Sequence, residues 1–113
     1  MLALRRIYNC EKKQFAMKEI TAEKLDKYLN LTAQALEKVK ISEGLSARER
    51  EIGKKYLELA RSYLSDANHF KESGDWINSF AAVNYAHAWL DAGAIVKIFD
   101  VDGDNVLFTV DAD

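Results

Sequence analysis

The sequence predicts an all-α protein: an antiparallel up-and-down three-helix bundle with long helices, preceded by an N-terminal extension and followed by a short extended or strand-like tail. Three observations carry that prediction. Apolar residues recur at three- and four-residue steps over long stretches, which places them on helical stripes. The 113 residues contain no Pro and only five Gly, so little interrupts a helix. The breaks that do occur are short and carry capping residues. Composition agrees, since 49% hydrophobic and 30% charged residues suit a globular domain and are too apolar for a disordered chain.

The first helix opens at Thr21, a good N-cap, and is expected to run to about residue 40. Leu25, Tyr28, Leu29, Thr32, Leu36 and Val39 form its buried stripe, and the charged residues fall largely outside it. Ile41-Ser42-Glu43-Gly44-Leu45 breaks the pattern. Ser46 with Glu49 three residues later has capping-box spacing and starts the second helix, which continues to about Glu72 through Ile52, Tyr56, Leu59, Ala60, Tyr63, Ala67 and Phe70. Ser73-Gly74-Asp75 ends it: Gly74 suits the left-handed position past a helix, and Asp75 can cap the next one. So short a connection makes the second and third helices antiparallel neighbours. The third helix, from Trp76 to about Phe99, is apolar on nearly every side, with alanines between its large residues. One antiparallel neighbour and a short first helix are not expected to cover Trp76, Phe80, Trp89 and Phe99 together, which predicts self-association or a protein partner.

The ends differ from the middle. Residues 1–20 carry a net charge of +3 and residues 100–113 carry five Asp and no basic residue. The chain therefore divides into an extension at 1–20, the bundle at 21–99 and an acidic tail at 100–113. Within the tail, Val106-Leu107-Phe108-Thr109-Val110 favours a strand after the turn-like Asp102-Gly103-Asp104-Asn105. Its strand partner would be residues 2–8; alternatively the tail is an extended strap across the bundle.

Composition and spacing exclude several chemistries. A single Cys, Cys10, rules out a disulfide framework and any multi-Cys zinc site. No apolar run reaches the ~18 residues that cross a bilayer, and Arg5 and Arg6 interrupt the stretch a signal peptide needs, which points to a cytoplasmic protein. No glycine loop for a phosphate is present. Asp66 with His69 forms a carboxylate–imidazole pair, but it lies too far along the hairpin from His87 and Asp91 to share a metal, and no metal or other cofactor is expected. Asp100, Asp102 and Asp104 alternate like the start of a calcium loop with Asp111 at its twelfth position, but Asn105 stands where that loop needs Gly and no second helix follows, so a solvated acidic turn is expected. Basic residues at Arg5, Arg6, Lys12 and Lys13, and again at Arg48, Arg50, Lys54 and Lys55, are interrupted by Glu or apolar residues, which reads as a solvated face.

One constellation remains. Asn84, His87 and Asp91 share a face of the third helix, and the hairpin brings Arg61 opposite His87, with Tyr63 nearby. As a site, the seam would use His87 as base or ligand and Asp91 as its orienting partner. As structure, it would be satisfied by the second helix, with an Arg61–Asp91 ion pair.

The runs Tyr63-Leu64-Ser65-Asp66-Ala67-Asn68-His69-Phe70, Gly74-Asp75-Trp76 and Ala82-Val83-Asn84-Tyr85-Ala86-His87-Ala88-Trp89-Leu90-Asp91-Ala92-Gly93 resemble the small archaeal proteins grouped as domain of unknown function 357. With the first helix included, the resemblance covers roughly residues 18–100. It implies a three-helix bundle and an archaeal source, and supplies no catalytic residue.

The expectation is thus a non-enzymatic interaction or assembly module that associates with itself or with a protein partner. No membrane association and no small-molecule substrate are expected, and a nucleic-acid partner is disfavoured. The alternative is a ligand-binding protein or enzyme using Asn84, His87 and Asp91 with Arg61 and Tyr63. A weaker alternative is nucleic-acid binding through Arg48, Arg50, Lys54 and Lys55.

Overall fold

The computed structural model describes residues 18–110. Thr21 caps helix α1 (Ala22–Lys38), its hydroxyl accepting the Lys24 N–H at 3.1 Å. The apolar stripe packs inward, with Leu25, Tyr28, Leu29, Thr32 and Ala35 buried. The helix stops two residues short of the expected end. Val39 turns extended, and Lys40–Ile41 forms a short strand, β1, instead of a last half-turn. A backbone partner at the far end of the fold captures these residues.

Helix α2 (Ala47–Glu72) carries both reciprocal bonds of the capping box: Ser46 N–H to Glu49 Oε1 at 3.0 Å and Glu49 N–H to Ser46 Oγ at 3.1 Å. Its end follows the sequence closely. Gly74 takes φ 85°, the Asp75 N–H bonds the Phe70 carbonyl, and Asp75 Oδ1 accepts the Asn78 N–H to open α3 (Trp76–Ile95). The two helices run antiparallel. Ser79 Oγ donates to the Ala67 carbonyl at 2.7 Å, and Ala60, Ala67 and Ala86 are fully buried, so small side chains let the backbones close up.

Helix α3 does not reach Phe99. It ends at Ile95 because the chain reverses there: Lys97 adopts φ 65°, its N–H bonds the Ala94 carbonyl, and the Ile98 N–H bonds the Gly93 carbonyl. This is a Schellman cap with Lys where glycine is usual. The reversal folds Phe99 back onto Gly93, where an added Cβ would lie 2.3 Å from the ring. Phe99–Asp100 then forms β2, antiparallel to β1, with Ile41 opposite Phe99.

The core has two apolar layers. Leu25, Tyr28, Leu29, Ala67 and Val83 fill one, near the α2–α3 turn. Ala35, Ala60, Leu90, Ala94, Ile98 and Phe99 fill the other, and the tail residues Val101 and Phe108 join it. The four aromatics expected to lie uncovered are packed: Phe99 is buried, and Trp76, Phe80 and Trp89 are half-buried against these layers. Between the layers lies a polar level containing Thr32 and His87.

Residues 106–110 are turns and bends, not a strand. The expected strand partner at 2–8 lies outside the described residues. Asp102 and Gly103 both take positive φ in a tight turn closed by the Asp104 N–H on the Val101 carbonyl, after which the tail lies as a strap on the bundle. The tail therefore completes the core, since the Phe108 ring is wholly buried.

Candidate functional site

His87 and Asp91 project from consecutive turns of α3 into the polar level and are almost completely buried. His87 Nε2 lies 2.7 Å from the Leu107 carbonyl oxygen. A carbonyl only accepts, so Nε2 carries a proton; in the neutral ring Nδ1 then accepts from the Thr32 hydroxyl at 3.0 Å. Asp91 Oδ1 accepts the Thr109 N–H at 2.8 Å and lies 3.8 Å from His87 Nε2. Among the described residues, the second Asp91 oxygen is buried without a hydrogen-bond partner. The seam thus grips two backbone groups of the tail on either side of Phe108, and the ring fills the core between them.

A second clamp holds the start of the same segment. Asp104 Oδ1 accepts the N–H groups of Val106 and Leu107, both at 2.9 Å, and Oδ2 pairs with Lys38 Nζ at 3.1 Å. Burial alone pushes the Asp104 carboxyl up, but the Leu107 N–H, the Lys38 ammonium and the Val106 N–H together hold it below its ordinary value. The acidic tail has a further internal bond, from the Asp102 N–H to Asp100 Oδ1. These carboxylates organise turns. Asp111, the expected twelfth position of a calcium loop, lies outside the described residues.

The structure gathers only part of the predicted constellation. Asn84 sits half-buried one turn before His87. Arg61 is exposed and lines the groove between α1 and α2 with Leu36, Leu64 and His69, so the expected Arg61–Asp91 ion pair does not form. The seam is satisfied by α1 and the tail, not by α2. Tyr63 packs edge-on against Tyr85 at 4.5 Å, about half a helical turn from the seam. The residues missed were Thr32 and the main chain of Leu107 and Thr109. Thr32 left a trace, as a hydroxyl within an apolar stripe, but backbone partners leave none.

Other predicted groups are accounted for locally. Asp66 and His69 are exposed, and among the described residues no three His, Cys, Asp or Glu side chains converge as metal ligands. Arg50 donates to the Leu45 carbonyl, and Lys54 and Lys55 lie beside Glu51 and Glu58. No helix is long and apolar enough to cross a membrane.

The remaining feature is a bare face. Ile77 is 76% exposed, Tyr85 50%, Ile95 56% and Val96 59%, and Ala81, Ala88 and Ala92 complete the same side of α3. The only acidic or basic residues of this helix, His87 and Asp91, point the other way, so the exposed face carries no charge.

No curated protein and no solved structure matches the chain. The family model described as "Protein of unknown function (DUF357)" matches residues 27–99, which takes in most of α1, all of α2 and α3, and the chain reversal after them. The chain belongs to this DUF357 family.

Proposed function

We propose that this protein is a non-enzymatic interaction module whose exposed α3 face docks a protein partner. The observation that carries this reading is the long apolar, uncharged surface from Ile77 to Val96 on a helix otherwise enclosed by its own chain. A solvent-facing helix normally presents charged residues, and a contiguous apolar patch marks a surface that another molecule covers. The seam supports the same reading from the other side. Both nitrogens of His87 are engaged by Thr32 and Leu107, leaving neither ring nitrogen for a substrate proton.

Photo-crosslinking in the native cell tests this. A benzophenone side chain replacing Tyr85 should give a discrete adduct, and one replacing the exposed Glu37 of α1 should not. Equal, diffuse labelling from both positions would remove the docking reading.

A further inference from the structure

One outward stripe of α3, exposed at Ile77, Ala81, Tyr85 and Val96, half-buried at Ala88 and Ala92 and flanked by the exposed Asn78 and Ile95, follows a spacing that reads the same in both directions. From Ile77 the steps to Ala81, Tyr85, Ala88, Ala92 and Val96 are four, four, three, four and four residues. The sizes follow the spacing: β-branched residues at both ends, alanines next, and Tyr85 beside Ala88 in the middle. A two-fold axis between residues 86 and 87 would set Ile77 against the partner's Val96, Ala81 against the partner's Ala92, and Tyr85 against the partner's Ala88. Large meets large only at the rim. Small meets small or receives the tyrosine near the centre, which is how two helices interdigitate.

Helix α2 gives an independent reading. Along the edge that carries Tyr63, the α2 residue touching Tyr85, the exposed charges include Lys55 and Asp66. They are three turns apart, and their midpoint lies between residues 60 and 61. The hairpin contacts pair Ala67 with Ser79, Tyr63 with Tyr85 and Tyr56 with Trp89, so residues 60–61 of α2 stand level with residues 86–87 of α3. One axis crossing both helices at that level therefore serves the apolar stripe and the charges together. It places Lys55 against the partner's Asp66, twice.

From these coincident centres we infer that the α3 face and the adjoining edge of α2 pair with the same surface of a second copy of this chain, each helix antiparallel to its equivalent. The inference rests on the docking reading above and names its occupant. The stripe is ~28 Å long and two helices are ~20 Å wide, a projected area on the order of 550 Å². Side-chain relief brings this near the ~800 Å² of accessible surface that each partner contributes to a standard interface. An isologous contact needs a surface complementary to itself, and an uncharged stripe with symmetric sizes and opposite charges at its margin meets that condition.

Sedimentation equilibrium on the full chain tests the pairing. The wild type should be dimeric at micromolar concentration. Ala81→Glu puts a charge in the dry centre at an exposed helical position that accommodates Glu, so it should be monomeric with unchanged helicity. Lys55→Glu should weaken the dimer about tenfold by opposing the partner's Asp66, and adding Asp66→Lys should restore it. A dimer indifferent to Ala81→Glu, or a double reversal that restores nothing, overturns the proposed face and axis. A wild type that stays monomeric overturns self-pairing. In that case a discrete crosslink from position 85 to a different protein keeps the docking reading alone. An adduct within the chain, to residues 1–17, removes both.

Discussion

Gly93→Ala isolates the feature that ends α3. In a helix interior this change ordinarily stabilises by ~1 kcal/mol, because alanine loses less conformational freedom on folding. Here the new methyl would sit 2.3 Å from Phe99 Cδ2 and Cε2 and 3.0 Å from Cγ. The ring has to retreat by more than 1 Å to reach ordinary contact, roughly 3.5–4 Å between carbons. It has little room, since Phe99 is 2% exposed, packs at 6.5 Å from the Tyr56 ring and belongs to the larger core layer. Overpacking of this kind costs ~1–3 kcal/mol, and expelling the ring altogether costs ~3–5 kcal/mol. After the helical gain is subtracted, the expected net loss is ~2 kcal/mol. For a bundle of this size that lowers Tm by roughly 8–16 °C. Urea unfolding should show a lower midpoint with an unchanged slope. In a double-mutant cycle, Phe99→Leu should recover part of the loss, with a coupling above ~0.5 kcal/mol. A Gly93→Ala protein as stable as the wild type, or more stable by the propensity difference, would show that Phe99 does not rest on Gly93.

Three further outcomes follow from the cap, the strap and its clamp. Lys97→Gly should stabilise by ~0.5–1 kcal/mol in thermal unfolding, because the exposed Lys97 holds φ 65°, a conformation costing ~1–2 kcal/mol for residues with a Cβ. Phe108→Ala should release the strap while the helices persist: amide exchange at Leu107 and Thr109 should accelerate, and the slowly exchanging His87 Nε2 proton should vanish from the spectrum. Asp104 gives the pH dependence. Its folded-state carboxyl is held below the ordinary ~3.9, so its contribution is complete above that value and is lost as pH falls through the lowered one. Asp104→Ala should therefore cost ~2 kcal/mol at neutral pH and flatten the acid limb of a stability profile below about pH 4.

The bundle was legible because its signals are local. The Thr21 cap, the Ser46–Glu49 box and the Ser73-Gly74-Asp75 turn each act within a few residues. The period of Leu25, Tyr28, Leu29 and Thr32 fixes the inner face of α1 whatever it packs against. Where α1 and α3 stop was not legible, because both ends depend on residues far away in sequence. Lys40 and Ile41 leave α1 to pair with Asp100 and Phe99, and α3 breaks where Phe99 must fold onto Gly93.

The seam divides in the same way. The sequence alone determined that Asn84, His87 and Asp91 share one side of a largely apolar helix, since helical spacing settles that without any neighbour. Only the tertiary structure decided what meets them. The partners of His87 and Asp91 are the Thr32 hydroxyl and the main-chain groups of Leu107 and Thr109. Every residue carries the same N–H and C=O, so no side-chain pattern can announce which backbone a buried histidine will hold; long-range packing of the Phe108 ring brings that backbone there.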